Sequence, residues 1–462
     1  MASLEFVVKV GEQQLIQPET PTPYETKYLS NIDDQAGLRN HIPFVHFYRG
    51  RARDRCDPAP IICRALSRTL VHYYPLAGRI RNTEKGKLVV ECTGEGVVFR
   101  EADADVTIEQ LQRQLGGLGL VPPFPRWDRL LVDDIWGCFL ITDSPLLRMQ
   151  VTRLACGGFV LAYTFNHCMC DAAGALQFLT AVAESARDPS INSLSLHPVW
   201  SREALSPRSP PRISFPHYEY DDSITNLKPG PMYSPSRFRR LAQASLFLPR
   251  EAVSTLKHRA AAAASFDAVA ACLWRARARA LGLSGRDPAY FLFPVYTRSR
   301  GTPRLPRGYY GAAVVFPCAT ALTFDLCRKP LRYASSKVAT AKQIALEDEY
   351  WASVVDFLEG KGGNVGFRGG EGVFVVSDQS LPMSTWVGAG QCMAVRGGRG
   401  LGQSLGWWQR WRRTVGGWRG GLLAIFSIPD EAMEAFKREV WGMIEGTSEE
   451  EVESEKPLRS AL

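Results

Sequence analysis

Two histidines are each followed by an aspartate four residues later. His167 and Asp171 enclose Cys-Met-Cys, and His217 and Asp221 enclose Tyr-Glu-Tyr. A neutral imidazole has an unperturbed pKa of about 6.5, so it can take a proton from an alcohol or an amine near neutral pH. Neither histidine is accompanied by a recognisable serine or cysteine nucleophile motif. The pattern therefore indicates general-base catalysis without a covalent enzyme intermediate.

The elements around the two histidines distinguish them. The apolar run 159–165 predicts a buried strand that ends just before His167, and residues 172–187 predict a helix that begins after Asp171. Loops after strands commonly carry reactive side chains in α/β folds, and an aspartate at this position can cap the helix. His217 lies in a proline-rich stretch instead, so we interpret the second pattern as incidental. From its segment alone, a structural histidine is the favoured interpretation of His167, and a general base is the alternative.

Strands and helices are mixed along both halves of the chain, which predicts an α/β (α+β) fold in two lobes of similar size. We expect the first lobe over residues 1–190 and the second over 238–447. A connector rich in proline and serine joins them over 191–237, and residues 448–462 form a charged tail. The 11 cysteines include no Cys-x-x-C pair, which indicates free thiols, and no metal-ligand spacing occurs.

Length and composition exclude several classes of protein. A chain of 462 residues with 45% hydrophobic residues is typical of globular proteins and is not wholly disordered. The longest apolar stretch, 310–322, is shorter than the roughly 18 residues of a membrane helix. Glu5 and Lys9 interrupt the N-terminal apolar run, which argues against a secretory signal. We therefore expect a cytoplasmic protein without membrane insertion, and a monomer.

The net charge of +8 is concentrated in one segment. Residues 386–420 contain six arginines and no lysine, aspartate or glutamate, so the rest of the chain carries only +2. The same segment is rich in glycine and tryptophan, a composition that could bind single-stranded nucleic acid through phosphate neutralisation and base stacking. A G-rich coding sequence that is translated in the wrong reading frame also yields many glycine, arginine and tryptophan residues. We interpret the segment as out of frame and expect no nucleic-acid partner.

Five blocks, in order along the chain, carry motifs of a known enzyme family. They are LSNIDDQAGLR at 29–39, YPLAGR at 74–79, HCMCDAAG at 167–174, SFDAVAACLWR at 265–275, and VYTRSR with GYYG within 295–311. Together they resemble the plant BAHD acyl-CoA-dependent acyltransferases. The resemblance is strongest to the alcohol acyltransferase branch that includes benzyl alcohol O-benzoyltransferases, and the block at 29–39 favours small-alcohol acceptors.

The resemblance implies two chloramphenicol-acetyltransferase-like lobes with a channel between them. Acyl-CoA would enter from one side and the acceptor from the other, and a benzoyl, acetyl or hydroxycinnamoyl group would move to an alcohol. The resemblance implies that His167 deprotonates the acceptor and that Asp171 pairs with Arg298 to set the loop geometry. Acyl-CoA is then a co-substrate, and neither a metal nor another cofactor is needed.

Two features depart from the family pattern. Ala312 replaces the asparagine that follows GYYG, and the motif Asp-Phe-Gly-Trp-Gly is absent from its place after Thr385. Ser377, shortly before that place, is a candidate donor to the oxyanion. The missing motif leaves open a catalytically impaired relative that binds acyl-CoA without turnover. The resemblance also leaves open a hydroxycinnamoyl transferase that acts on an amine.

The out-of-frame interpretation can be tested on transcripts. Read two bases later, the codons of residues 389–396 allow Arg-Ala-Val-Tyr-Gly-Gly-Pro, which is similar to the sequence after the missing motif in family members. We expect sequenced transcripts to carry a different frame over 386–420, and we expect the segment as read here to pack poorly because its glycines favour neither strand nor loop packing. Independent cDNAs that carry these same codons in one uninterrupted frame would refute the interpretation.

Overall fold

The computed structural model describes residues 5–50, 56–114, 127–132, 141–190, 193–221, 241–283, 285–298, 304–361, 365–369, 372–378, 390–395, 405–411 and 421–447. Its first half contains strands β1 (Val8–Ile16), β2 (Thr26–Tyr28), β3 (His41–Arg49), β4 (Arg79–Asn82), β5 (Leu88–Glu91), β6 (Val97–Ala104), β7 (Leu147–Leu154) and β8 (Phe159–Asn166). Helices α1 (Pro58–His72), α2 (Ile108–Gln114) and α3 (Ala172–Arg187) accompany them.

The second half alternates in the same way. Its strands are β9 (Tyr220–Asp221), β10 (Leu241–Pro249), β11 (Pro288–Leu292), β12 (Val295–Tyr296), β13 (Val314–Val315), β14 (Cys318–Leu322), β15 (Gly366–Phe367), β16 (Val373–Asp378), β17 (Gly390–Val395), β18 (Leu405–Trp411) and β19 (Gly421–Pro429). Its helices are α4 (Arg250–Arg259), α5 (Ser265–Ala280), α6 (Thr323–Arg328), α7 (Leu331–Ile344), α8 (Asp348–Gly360) and α9 (Met433–Glu445).

The first large sheet has the strand order β1-β6-β7-β8-β3-β17. Strands β6 and β7 run parallel, and the other neighbours pair antiparallel. Helices α1 and α3 bury apolar side chains against β7 and β8, because residues such as Leu66, Leu70, Phe178 and Val182 recur at helical spacing. Strand β17 belongs to the second half of the chain, so its pairing with β3 joins the two halves through backbone hydrogen bonds.

The second large sheet has the order β10-β19-β18-β16-β11-β14 and forms the core of the other lobe. Helix α5 is buried along most of its length, including Trp274 and Arg275. Arg275 Nε donates to the carbonyl oxygen of Leu326 at 2.7 Å, and its Nη2 donates to that of Lys329 at 2.5 Å. The guanidinium therefore satisfies carbonyls at the C-terminal end of α6, where backbone acceptors lack helical partners.

Within the described part of the connector, residues 208–217 pack on α8. Arg208 Nε lies 2.6 Å from Asp356 Oδ2, and the backbone nitrogen of Arg208 donates to Asp356 Oδ1 at 2.8 Å. His217 is buried, with its Nδ1 2.9 Å from Glu219 Oε1 and its Nε2 2.9 Å from Ser353 Oγ. The histidine of the second His-x-x-x-Asp pattern thus belongs to a buried structural cluster.

Three predictions about organisation stay predictions. The lobe boundaries at 190, 238 and 447 are not tested by these observations. Within 386–420 the backbone forms β17 and β18, whereas the side chains of both strands and the rest of the segment lie outside the described residues. The expected poor packing of that segment and the charged tail over 448–462 also fall there.

Two histidines on β3, the buried His46 and the partly buried His41, make the stability of this lobe sensitive to acid. Burial lowers the pKa of His46 to about 3 and that of His41 to about 4. Both values lie below the unfolded value of about 6.5, so the native state holds both rings neutral and loses stability as the pH falls below 6.5. We expect the free energy of unfolding to fall by about 2 kcal/mol per histidine between pH 7 and pH 5.

Urea unfolding at both pH values checks this expectation. His46→Gln keeps a side chain that can hydrogen-bond Tyr163, whose hydroxyl lies 2.7 Å from His46 Nε2, and it should show a smaller loss on acidification. His258→Gln, at an exposed position on α4, serves as the control and should behave like the wild type. An unchanged pH dependence in His46→Gln would contradict the assignment.

Candidate active site

His167 begins the turn that follows β8. Its backbone nitrogen donates to the carbonyl oxygen of Asn40 at 2.8 Å, and the backbone nitrogen of Cys168 donates to Asn166 Oδ1 at 3.1 Å. Strand β8 is buried along nearly its whole length, as its unbroken apolar run predicts. The turn is therefore anchored on both sides, and His167 stands at a fixed place between β8 and α3.

A cavity opens beside His167, between the two halves of the chain. Its empty volume is about 480 Å³, including its open mouth. One wall comes from β3, β8 and the start of α3, and the opposite wall comes from the second half. Besides His167 and Asp171 the lining residues are Ile42, Phe44, Phe165, Cys170, Ala172, Ala175, Pro294, Tyr296, Val314 and Phe316. A mostly apolar and aromatic lining suits apolar ligands and limits water.

The structure brings Asp171 and Arg298 together. Asp171 is only 3% exposed, and its Oδ1 lies 2.6 Å from Arg298 Nη2. The same oxygen accepts from the backbone nitrogen of Gly174 at 2.9 Å, which caps the N-terminus of α3. Oδ2 accepts from the backbone nitrogen of Ala313 at 3.0 Å. All these contacts fix the loop between β8 and α3 against the opposite wall of the cavity.

Arg298 extends this network into the second half of the chain. Its Nη2 also donates to the carbonyl oxygen of Gly311 at 2.8 Å, and its Nη1 donates to that of Tyr309. The guanidinium thus holds the Gly-Tyr-Tyr-Gly loop next to the His167 loop. A planar donor fork suits such simultaneous contacts, which a lysine could not reproduce.

A second buried ion pair, which the sequence does not indicate, supports the same region. Asp33 Oδ2 lies 3.0 Å from Arg202 Nε, and Asp33 Oδ1 accepts from the backbone nitrogen of Ala312 at 2.8 Å. Arg202 Nη2 donates to the carbonyl oxygen of Met169 at 2.9 Å, inside the His167 loop. Burial raises the pKa of Asp33, and the charge of Arg202 acts against that rise. Asp33 lies in the block at 29–39, whereas nothing in the connector sequence marks Arg202.

Close approaches explain two glycines of the motifs. A Cβ on Gly174 would lie 1.9 Å from the carbonyl oxygen of Tyr310, and one on Gly311 would lie 2.1 Å from Arg202 Nη1. A side chain at position 174 would push the His167 loop and the Gly-Tyr-Tyr-Gly loop apart, and one at position 311 would displace the guanidinium of Arg202. Gly174 therefore allows the two loops to pack directly on each other, and Gly311 leaves room for Arg202.

Cys170, which lines the cavity together with His167, is not suited to nucleophilic catalysis. Cys170 is 5% exposed, and burial, together with the nearby charge of Asp171, raises the pKa of its thiol. A thiol with a raised pKa stays protonated at neutral pH and is a poor nucleophile. Cys170 is therefore not a candidate nucleophile, and the imidazole of His167 stays the predicted catalytic group.

The remaining candidate, Ser377, lies on β16, where it is in register with Trp407 of β18. Its side chain is outside the described residues, so its role as an oxyanion donor stays a prediction. In the described part of the chain, no group of three or more His, Cys, Asp or Glu side chains is arranged to hold a metal ion. None of the helices in that part has the length and apolar character needed to cross a membrane.

Comparison with known proteins identifies the family. A family model described as "Transferase family" matches residues 6–441. The chain is 41% identical to 13-hydroxylupanine O-tigloyltransferase of Lupinus albus, with 95% of each chain covered. It is 39% identical to benzyl alcohol O-benzoyltransferase of Nicotiana tabacum, with 96% of this chain and 95% of the relative covered. The chain is a BAHD acyltransferase.

Solved structures share the fold of this BAHD acyltransferase. Vinorine synthase matches with a TM-score of 0.66 and 19% identity, covering 95% of this chain and 98% of the other. TRI101 of F. sporotrichioides, complexed with coenzyme A and T-2, matches with a TM-score of 0.64 and 16% identity, covering 89% and 97%. The predicted two-lobe α/β fold and the resemblance to the alcohol acyltransferase branch are both confirmed.

Replacing Asp171 by asparagine tests how much the contacts of Asp171 contribute to the free energy of unfolding of the BAHD acyltransferase. Asp171→Asn keeps the size of the side chain but removes the charge that faces Arg298, and it can turn an N–H group towards the backbone nitrogen of Ala313. We expect the free energy of unfolding to fall by about 1–3 kcal/mol, because the partly buried guanidinium of Arg298 loses its charged partner and the Ala313 amide can lose its acceptor.

Urea unfolding measures this loss. Asp430→Asn, at an exposed position just before α9, is the matched control and should change stability by less than about 0.5 kcal/mol. Equal stabilities of Asp171→Asn and the control would show that the Asp171 contacts carry little weight.

Proposed function

We propose that this chain transfers an acyl group from CoA to the hydroxyl group of a small apolar alcohol, with His167 as the general base. The observation that carries the proposal is the position of His167. Among the described residues that line the cavity, it supplies the only imidazole, and the wall opposite to it is apolar and aromatic. Such a site can bind an apolar acceptor and activate its hydroxyl group while excluding water.

The reaction needs one proton-transfer group on the protein. The neutral imidazole of His167 takes the proton from the acceptor hydroxyl, whose oxygen attacks the carbonyl carbon of the acyl thioester. The tetrahedral oxyanion that forms then collapses, the carbon–sulfur bond breaks, and the imidazolium returns the proton to the leaving thiolate. The products are an ester and free CoA, and the acyl group is never attached to the protein.

Asp171 supports this mechanism by holding the loop. Its two oxygens face Gly174, Arg298 and Ala313, so they fix the turn that carries His167. Loss of such a contact moves the base relative to its substrate, and small displacements are costly in catalysis. We therefore assign Asp171 and Arg298 positioning roles.

Acyl-CoA is proposed as the co-substrate that supplies the activated acyl group. The structures of TRI101 with coenzyme A support this proposal, since they share the fold of this chain. Two relatives are named for tigloyl and benzoyl transfer, which favours a short or aromatic acyl group here. A monomeric, cytoplasmic enzyme without a nucleic-acid partner remains a prediction.

A second candidate function rests on the missing Asp-Phe-Gly-Trp-Gly motif. A chain that lacks it could bind acyl-CoA and release no CoA. Amine acceptors are the other alternative, because a neutral imidazole can also accept a proton from an amine during attack. Both alternatives are separated from the proposed function by direct assay.

The assay incubates the protein with benzoyl-, acetyl- or coumaroyl-CoA and a panel of alcohols, with benzylamine as the amine arm. Release of the CoA thiol and formation of the ester or amide are followed together. We expect turnover with alcohols, and we expect His167→Ala to lower kcat by about 100-fold or more, since general-base catalysis contributes about 10²–10⁴-fold.

Two controls make the result decisive. His258→Ala, at an exposed position, should keep wild-type activity, and the melting temperature of His167→Ala should stay close to that of the wild type. Full turnover in His167→Ala would refute the base assignment. Acyl-CoA binding without thiol release in the wild-type protein would favour the second candidate.

A further inference from the structure

A row of aromatic rings connects the cavity wall with the connector. We call Phe316, Phe367, Tyr220, Phe357 and His217 the aromatic row. Phe316 lines the cavity beside His167, and its ring centroid lies 4.8 Å from that of Phe367 in an edge-on arrangement. The row therefore begins at the surface that a bound substrate would touch.

Each member of the aromatic row contacts the next. The rings of Phe367 and Tyr220 stack at 5.5 Å with an interplanar angle of 12°, and those of Tyr220 and Phe357 lie 5.3 Å apart. The ring of His217 lies 5.1 Å from Phe357. Such spacings are typical of favourable aromatic pairs, so the row is continuous from the cavity to the connector.

The middle of the row is held in place on two sides. A Cβ on Gly37 would lie 2.0 Å from the ring of Phe367, so this ring rests directly on the backbone of the first half of the chain. The hydroxyl group of Tyr220 donates to Gln35 Oε1 at 2.9 Å. Strand β9, which carries Tyr220, pairs with β15, which carries Phe367. Neither ring can move without breaking these contacts.

The far end of the row is anchored by hydrogen bonds. His217 contacts Glu219 and Ser353, and the hydroxyl group of Tyr350 donates to Glu219 Oε1 at 2.9 Å. The Oγ atom of Ser353 also accepts from the backbone nitrogen of Ser214 at 2.9 Å. His217, Glu219 and Ser353 are all buried, which makes this cluster a fixed support.

We propose that Tyr220 is a positioning residue that, through Phe367, sets the place of Phe316 and thereby the size of the apolar group that the cavity accepts beside His167. The inference rests on the proposed function, since it concerns the substrate of that site. The group in question is an aromatic ring or a branched chain of the alcohol or acyl partner, because Phe316, Phe44 and Phe165 surround the space.

The physical reason is the close packing of protein interiors. A leucine at position 220 is smaller than tyrosine and cannot stack on Phe367. The ring of Phe367 can therefore move into the space that the tyrosine ring occupied, and the ring of Phe316 can move towards Phe367. The cavity then becomes deeper at that end. Hydrophobic pockets discriminate between groups that differ by one carbon by roughly 10–200-fold, so a change of this size should be measurable.

The test compares kcat/KM for benzyl alcohol and for 2-naphthylmethanol, with one acyl-CoA, in the wild type and in Tyr220→Leu. We expect the ratio of the two values to shift about 10-fold towards the two-ring alcohol, mainly through KM. The kcat for benzyl alcohol should stay within about 3-fold, since His167 is not touched. An unchanged ratio would overturn the proposal.

Three further variants exclude a general structural effect. Tyr220→Phe keeps the ring and should keep the wild-type ratio. Phe436→Leu, a buried aromatic on α9 outside the row, should lower stability and leave the ratio unchanged. Phe367→Leu removes the next ring of the row, so it should shift the ratio in the same direction. If Tyr220→Leu does not fold, Phe367→Leu takes its place in the test.

Binding separates this inference from the proposed function. Dissociation constants of the two alcohols are measured by NMR titration of the same variants, without acyl-CoA. A shift in relative affinity in Tyr220→Leu would support the positioning role even in a protein without turnover. Turnover with an unchanged affinity ratio, or no binding of either alcohol to the wild type, would overturn the inference.

Discussion

The site depends on two hydrogen bonds, in which two adjacent backbone N–H groups donate to two buried carboxylates. Asp33 accepts from the nitrogen of Ala312, and Asp171 accepts from that of Ala313. Each carboxylate also faces an arginine, Arg202 or Arg298. Burying charge is costly unless it is paired and hydrogen-bonded, so the four side chains and the two amides stabilise one another as a unit.

This unit joins three distant parts of the chain. Asp33 comes from the N-terminal block and Asp171 from the loop after β8, while both amides belong to the loop that leads to β13. The cavity wall that carries Val314 and Phe316 follows directly after these amides. The position of the apolar wall relative to His167 is thus set by the same contacts that hold the His167 loop, so the proposed substrate wall and the proposed base share one support.

Sequence reasoning predicts the local part of this arrangement and misses the long-range part. The strand before His167 and the helix from residue 172 to 187 follow from short-range patterns of apolar residues and a capping aspartate. Arg298 becomes a candidate only through resemblance to a family, since its partner is 127 residues away. Arg202 and His217 act through tertiary contacts with distant segments, and no local pattern encodes such contacts.

The pairing of β17 with β3 has a consequence for the order in which the protein can be built. During synthesis the first sheet can assemble β1, β6, β7, β8 and β3 early, but the edge of β3 stays open until residues 390–395 have left the ribosome. An open edge that carries apolar residues such as Val45 and Phe47 is a site where nascent chains associate wrongly. In the chain as read here, a strand near the end therefore covers an edge that forms near the beginning.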